Sequence, residues 1–280
     1  MADNVGNFSS STSGIPAVKG DASNSNGVNG LTSSDGDSAI YGAHEGQGIG
    51  IFGRGGKKGG VNAHGIFGQV DNVSNSVASG VYGKNEGLGT GVTGEAVSGH
   101  GVSGLSANGV GLYGQGGQNA GFFEGDVKVT GNLSVDLDII LTGGAADCAE
   151  EFDILRMEGV EPGTVMVIDQ NGALQQSQRA YDKRVAGIIT GAGDYKPGII
   201  LDRQESRDNR LPIALVGKVY CKVDARYSPI EVGDMLTTSP TPGHAMKADD
   251  PLKAFGAVIG KALYPFQSGQ GLIPILVSLQ

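Results

Sequence analysis

Ala39-Ile40-Tyr41-Gly42, Gly50-Ile51-Phe52-Gly53, Gly65-Ile66-Phe67-Gly68 and Gly80-Val81-Tyr82-Gly83 state one phrase four times. Gly91-Val92-Thr93-Gly94, Gly101-Val102-Ser103-Gly104, Gly111-Leu112-Tyr113-Gly114 and Gly121-Phe122-Phe123 continue it. The phrase is a small residue, an apolar residue, any residue, then glycine. Its spacing tightens from about 15 residues to about 10 along residues 39–125, the signature of a repeat architecture. A unit of this length offers about two apolar side chains, too few to offset the ordering of its glycine-rich backbone. One unit cannot fold alone, and a single thin stack remains short of core. Three chains around one axis give each apolar residue two neighbours from other chains. The expected inward positions are Ile40, Ile51, Ile66, Val81, Val92, Val102, Leu112 and Phe122. The glycines are expected to take positive φ at corners and to let backbones approach closely. A disordered glycine-rich linker is the other reading, but such linkers do not hold a branched or aromatic residue at one fixed place.

Outward from the repeats the chain changes character. Residues 1–38 are rich in Ser, Asn, Gly and Asp and read as a flexible arm or an attachment tip. Residues 126–144 form a neck: Val127, Val129, Leu133 and Val135 alternate around a glycine corner, and Ile139-Ile140-Leu141 follow, which predicts short strands. From residue 145 to 280 the sequence is that of a compact domain. Strands are predicted at Thr164–Ile168, Val185–Ile189, Ile213–Val223, Ala257–Leu263 and Ile273–Leu279. Turns are predicted at Pro162-Gly163, Asn171-Gly172, Pro197-Gly198, Gly233-Asp234 and Pro242-Gly243. No amphipathic helix of useful length is legible. The fold class is therefore all-β: a β-helical, intertwined trimeric shaft followed by a β-barrel or sandwich head.

With 50 glycines in 280 residues but no strict Gly-X-Y period, collagen is excluded. A net charge of −9 without basic clusters argues against nucleic acid and anionic membrane surfaces. No apolar run is long enough for a membrane span, and the polar Met1–Val5 start is no secretory signal, so an extracellular role implies release by lysis or within a particle. Arg54, Lys57 and Lys58 read as a solvated glycine-rich turn.

Candidate chemistry is sparse. Cys148 and Cys221 are too few for a disulfide framework and read as buried free thiols. Asp147, Glu150 and Glu151 flank Cys148 at the neck–head junction. Paired carboxylates serve acid–base work or divalent cations, and a cysteine serves as nucleophile when a base stands beside it. Nothing in the spacing brings His44, His64, His100 or His244 to Cys148, so the junction reads first as a structural strand with acids facing solvent. A ring of His64 or His100 about a threefold axis would suit a metal or anion, but exposed corner residues explain both, and no metal or cofactor is expected. Gly46-x-Gly48-x-Gly50 lacks the strand–helix context and Lys-Ser/Thr ending of a phosphate loop. Tyr41, Phe52, Phe67, Tyr82 and Tyr113 recur beside the apolar positions; packing explains them, and alternation would turn them outward as sugar-stacking platforms if their apolar neighbours point in.

Two features together resemble bacterial and phage fibre proteins. The repeats, with the Gly-Asp-Val-x-Val-x-Gly-x-Leu-x-Val phrase at Gly125–Val135, resemble a trimeric tail-fibre shaft. Asp147–Phe152, Glu161–Val165, Pro212–Val219, Ile230–Ser239, Pro242–Ala248 and Ile259–Leu263 resemble C-terminal domains related to the self-cleaving intramolecular chaperones of phage appendages. The resemblance implies trimerisation and an extracellular or virion-associated role, and does not decide whether the chain cuts itself. The functional reading is a homotrimeric structural fibre for adhesion, spacing or display, with an anchor through its N-terminal arm and with head-to-tail polymerisation and cell-surface glycans as further partners. The alternative is a chaperone domain that cuts near the junction, and a sugar-binding module is a third reading. Cys148 stands where such domains often carry an aromatic or aliphatic residue, and no Ser-Lys or Ser-His-Asp arrangement is assignable.

Overall fold

The computed structural model describes residues 26, 28–33, 38–43, 49–55, 64–71, 78–204 and 209–278. Most of the N-terminal arm, His44, the Gly46–Gly48 phrase, Lys57, Lys58, Leu279 and nearly all of the long early inter-unit segments lie outside the described residues. The chain divides into two compact units, Met1–Glu124 and Gly125–Gln280.

In the first unit the described residues form neither helix nor strand, and all but Gly55 are exposed. Their organisation is carried by glycine contacts instead. The glycine that closes one phrase lies against the small residue that opens the next, so the intervening segment leaves and returns at nearly one point. A Cβ on Gly42 would stand 2.9 Å from Gly50 O, and one on Gly50 would stand 3.0 Å from Gly42 O. The same reciprocal approach joins Gly83 to Gly91, with Cβ positions 2.7 and 3.0 Å from the facing carbonyl oxygens. Close backbone approach is thus what the repeat glycines provide. The expectation that they take positive φ at corners is corrected: within residues 78–124 only Gly99 lies in that region, and it is not a phrase glycine.

The second unit begins with 125–144, which carries no strand in the single chain, in contrast to the strands expected there. The neck's apolar side chains stay 44–90 % exposed in the single chain, and an amphipathic strand without a covered face has nothing to pair with. The head follows as β1 (Ala145–Asp153), β2 (Val165–Ile168), β3 (Leu174–Gln176), β4 (Val185–Ile189), β5 (Lys196–Leu201), β6 (Arg210–Asp224), β7 (Met235–Thr238) and β8 (Ala245–Lys247). The one-turn helix α1 (Pro251–Ala254), β9 (Val258–Ala262) and β10 (Gln270–Ser278) complete it. Strands β6, β8, β7, β9 and β10 hydrogen-bond in that order, and β10 pairs back onto β6, which closes a barrel. Among the described residues no helix is long and apolar enough to cross a membrane.

The barrel closes because its strands present one apolar face. Along β10, Ile273, Ile275 and Val277 are buried while Leu272, Pro274 and Leu276 stay partly exposed or open, the period of two that the sequence shows. With Val219, Cys221, Val223, Ile230, Leu236 and Ile259 they fill the interior. A second, smaller core of Ile154, Met166, Leu174, Ala186, Ile189 and Ile213 lies under β2, β3 and β4. The long strand β6 serves both: residues 210–217 pair with β1, residues 213–214 with β4, and residues 216–224 with β10. At the changeover Gly217 has φ 113°, and a Cβ there would stand 2.5 Å from Ala146 O and 2.7 Å from Asp147 Cα. Only glycine lets β1 approach so closely in that conformation.

Gly163, Gly172, Gly233 and Gly243 all take positive φ at the predicted turns. Pro197-Gly198 is the exception and is corrected: both lie inside β5. That strand pairs only with β1 among the described residues, and an edge strand tolerates a proline that has no N–H to donate.

Candidate functional site

The repeat surface is the first candidate. Each branched apolar side chain lies over the closing glycine of the preceding phrase. A Cβ on Gly42 would stand 2.5 Å from Ile51 Cγ1, one on Gly53 2.5 Å from Ile66 Cγ1, and one on Gly94 2.5 Å from Val102 Cγ2. At these positions glycine is required because the next phrase's apolar residue occupies its side-chain space, and at Gly104 and Gly114 because a carbonyl oxygen does, Gly111 O at the first and Ala120 O, 2.6 Å from a Cβ, at the second. The opposite side of that residue faces solvent: Ile40, Ile51, Ile66, Val81, Val92, Val102, Leu112 and Phe122 are 59–81 % exposed. Tyr41, Phe52, Phe67, Tyr82 and Tyr113 are 69–83 % exposed, so exposure within one chain does not single the aromatics out as sugar platforms. No backbone–backbone hydrogen bond links the described residues ahead of Gly144. The described residues of the unit therefore present a periodic apolar ladder without backbone–backbone pairing; Gly87 and Gly109 donate their N–H groups to the nearby side chains of Asn85 and Ser106 instead.

The second candidate is the junction. Strand β1 runs parallel to β5 and antiparallel to β6, which sets Asp147 opposite Pro197 and Gly217. The close approach at Gly217 leaves Asp147 buried. Its Oδ2 accepts a 2.6 Å hydrogen bond from Thr190 Oγ1, while Oδ1 is shielded and has no partner. Burial pushes the Asp147 pKa up, and the Thr190 hydroxyl pulls it down by less. Cys148 is half-buried, which corrects the expectation of a buried thiol. It stands between Ile199 and Val216 and lines a hollow of about 250 Å³ with Leu141 and Ala145. Cys221, by contrast, is fully buried, and burial pushes its thiol far above the ordinary range. Glu150 is half-buried, with Leu201 and Ile213 as its cross-strand neighbours. Glu151 does not face open solvent as expected but turns to Arg203 and Arg210, at 3.8 and 4.0 Å. Among the described residues no hydrogen bond joins Cys148 to a base, so the structure does not assemble Asp147, Cys148 and Glu150 into a nucleophilic centre. Sequence spacing could not have revealed Thr190, which is distant in the chain and carries no local motif.

Asp147 yields a signed prediction. An acid whose folded pKa is raised above its unfolded value of about 3.9 destabilises the fold increasingly as pH rises from that value through the folded pKa. Asp147→Asn keeps an oxygen for Thr190 and cannot ionise. Urea unfolding is expected to show the variant at least as stable as wild type at pH 7, with the difference shrinking towards pH 4. A variant clearly less stable at pH 7 than at pH 4, relative to wild type, would show that the ionised carboxylate is needed.

Three further polar side chains make contacts within the chain. His64 tilts against Phe67 at 5.6 Å between ring centroids, and His244 Nδ1 lies 2.7 Å from Pro242 O. Asp224, fully buried, accepts from Arg226 Nε, from Thr241 Oγ1 at 2.6 Å and from Gln270 Nε2 at 3.3 Å. It ties the end of β6 to the 239–244 turn and the start of β10. Among the described residues no group of three His, Cys, Asp or Glu is placed to hold a metal ion.

No family model matches the chain, and no curated protein does. Among solved structures it is similar to the pre-mature bacteriophage phi29 gene product 12, at 13 % identity and a TM-score of 0.39, covering 54 % of this chain and 24 % of that one. The chain thus spans about a quarter of the length of that relative. It is also similar to a C-terminal fragment of the same phi29 protein, at 14 % identity and a TM-score of 0.32, covering 47 % of this chain and 100 % of the fragment. The N base of the phi29 head fiber gp8.5 matches at 23 % identity and a TM-score of 0.25, covering 42 % of this chain and 85 % of that one.

Proposed function

We propose that this chain is the subunit of a homotrimeric structural fibre, in which the repeats of three copies supply one another's core. One observation carries the reading: a regular ladder of apolar and aromatic side chains, 59 % or more exposed, on a backbone that has no backbone–backbone hydrogen bond among the described residues. Buried backbone groups are almost always paired, and exposed apolar ladders of this extent mark interfaces. The partner is another copy because the spacing to be matched is the chain's own, narrowing along its length as a second copy in register narrows. Three copies are favoured over two because a pair of thin ladders leaves one side of every side chain open. Charge does not oppose this: between residues 78 and 124 the acidic and basic side chains are few, and Lys84 pairs with Glu86 at 2.6 Å.

The role that follows is adhesion, spacing or display on a phage-like particle or extracellular assembly, anchored by the N-terminal arm. The sequence resemblance to tail fibres supports that setting. Sedimentation velocity combined with light scattering tests the proposal. The expected result is a particle of three chains at low micromolar concentration; a folded, stable monomer would overturn it.

A further inference from the structure

We infer that residues 127–141 become a β-strand only between copies of this chain, with odd-numbered side chains turned to the other copies and even-numbered ones to solvent. The inference rests on the homotrimer reading for its partner and adds which residues meet. Val127, Val129, Leu133, Val135, Leu137, Ile139 and Leu141 occupy every odd position but Gly131. Lys128, Thr130, Asn132, Ser134, Asp136 and Asp138 occupy the even ones, with Ile140 as the one apolar departure. So strict an alternation specifies a strand with one buried face. Yet the odd side chains are 44–90 % exposed, and the segment has neither strand pairing nor backbone hydrogen bonds in its own chain. A sequence that dictates an amphipathic strand, on a backbone left unmatched, is completed from outside.

Three observations set the facing. In register, the even face would bring the Asp136 and Asp138 carboxylates of each copy together, and like charges across such contacts destabilise. The odd face brings only apolar groups together. At its end, Leu141 already turns onto the head: a Cβ on Gly198 would stand 3.2 Å from Leu141 Cδ1. There Leu141 meets the row Ile199, Cys148 and Val216, cross-strand neighbours on β5, β1 and β6 whose outer side is partly exposed. The odd face of the neck and this row form one apolar seam.

Single cysteines in the full-length Cys148→Ala chain read the facing directly, since the other thiol, Cys221, is buried. Val135→Cys and Leu137→Cys are compared with Ser134→Cys and Asp136→Cys after mild oxidation, on a non-reducing denaturing gel, with the native mass of each recorded. A disulfide needs Cα atoms within about 7 Å, so linked chains are expected about tenfold more abundantly at 135 and 137 than at 134 and 136. Assembly lost at 135 and 137 but kept at 134 and 136 reports the same alternation and supports the inference. Trimers that link equally at odd and even positions would overturn it and leave the fibre reading standing. Folded monomers from all four variants and from the Cys148→Ala parent would overturn both.

Discussion

Replacing Gly94 with valine is expected to abolish assembly of the full-length chain, whereas Gly117→Ala is expected to leave it unchanged. Both are glycines of the same unit, and what separates them is space. A Cβ on Gly94 would stand 2.5 Å from Val102 Cγ2 and closer still to Gly101 O, while one on Gly117 meets nothing within 4 Å. Branched bulk at Gly94 would push Gly101 and Val102 away and break the step from one phrase to the next. Overpacking of this kind costs about 1–3 kcal/mol at one site, and each copy in a trimer carries it at the same level. Native mass measurement of the two variants at equal concentration checks the contrast. Equal trimer yields would show that the glycine contacts are incidental.

The second large effect belongs to the head. Asp224→Ala is expected to destabilise it by about 2–4 kcal/mol in urea unfolding, because Thr241, Gln270 and Arg226 all lose their acceptor. The lower part of that range is expected, since the Arg226 side chain is 58 % exposed and partly screened. The pH dependence has a definite sign. Arg226 first, with Thr241 and Gln270, holds the Asp224 carboxyl well below the usual carboxylate range. A depressed folded pKa gives stabilisation that is complete above the unfolded value of about 3.9 and is lost as pH falls through the folded one. Wild type should therefore weaken below about pH 4 more steeply than Asp224→Ala. Parallel acid-unfolding curves for the two proteins would remove Asp224 as the source.

What could be read from the residues follows from where the physics is local. β6 and β10 carry branched residues at alternate positions, β9 carries the adjacent pair Val258-Ile259, and their turns carry glycines that the chain needs at positive φ. Both signals lie within a few residues. β1 is legible as a strand at the junction but not in its extent or its faces, because Ala-Ala-Asp-Cys-Ala-Glu-Glu-Phe-Asp has no branched alternation; Gly217 and β5, which accept it on either side, set both. β5 hides behind Pro197-Gly198, which reads as a turn and is an edge. Asp224 hides because Thr241 and Gln270 reach it only after the barrel closes. In the repeats the period and the close backbone approach are legible. The conformation of the glycines is not, because a glycine chosen for absent bulk and one chosen for positive φ are the same letter.

Amide hydrogen exchange over residues 91–124 of the full-length protein tests the central claim most directly. A single chain offers these amides no backbone partner, and only the Gly109 N–H a side-chain one, Ser106 Oγ, so protection across the phrases must come from other copies. The account predicts slow exchange across the phrases Gly91–Gly94, Gly101–Gly104 and Gly111–Gly114 under native conditions, lost together when the chains dissociate. Free-chain exchange rates in a protein that is otherwise folded would contradict it.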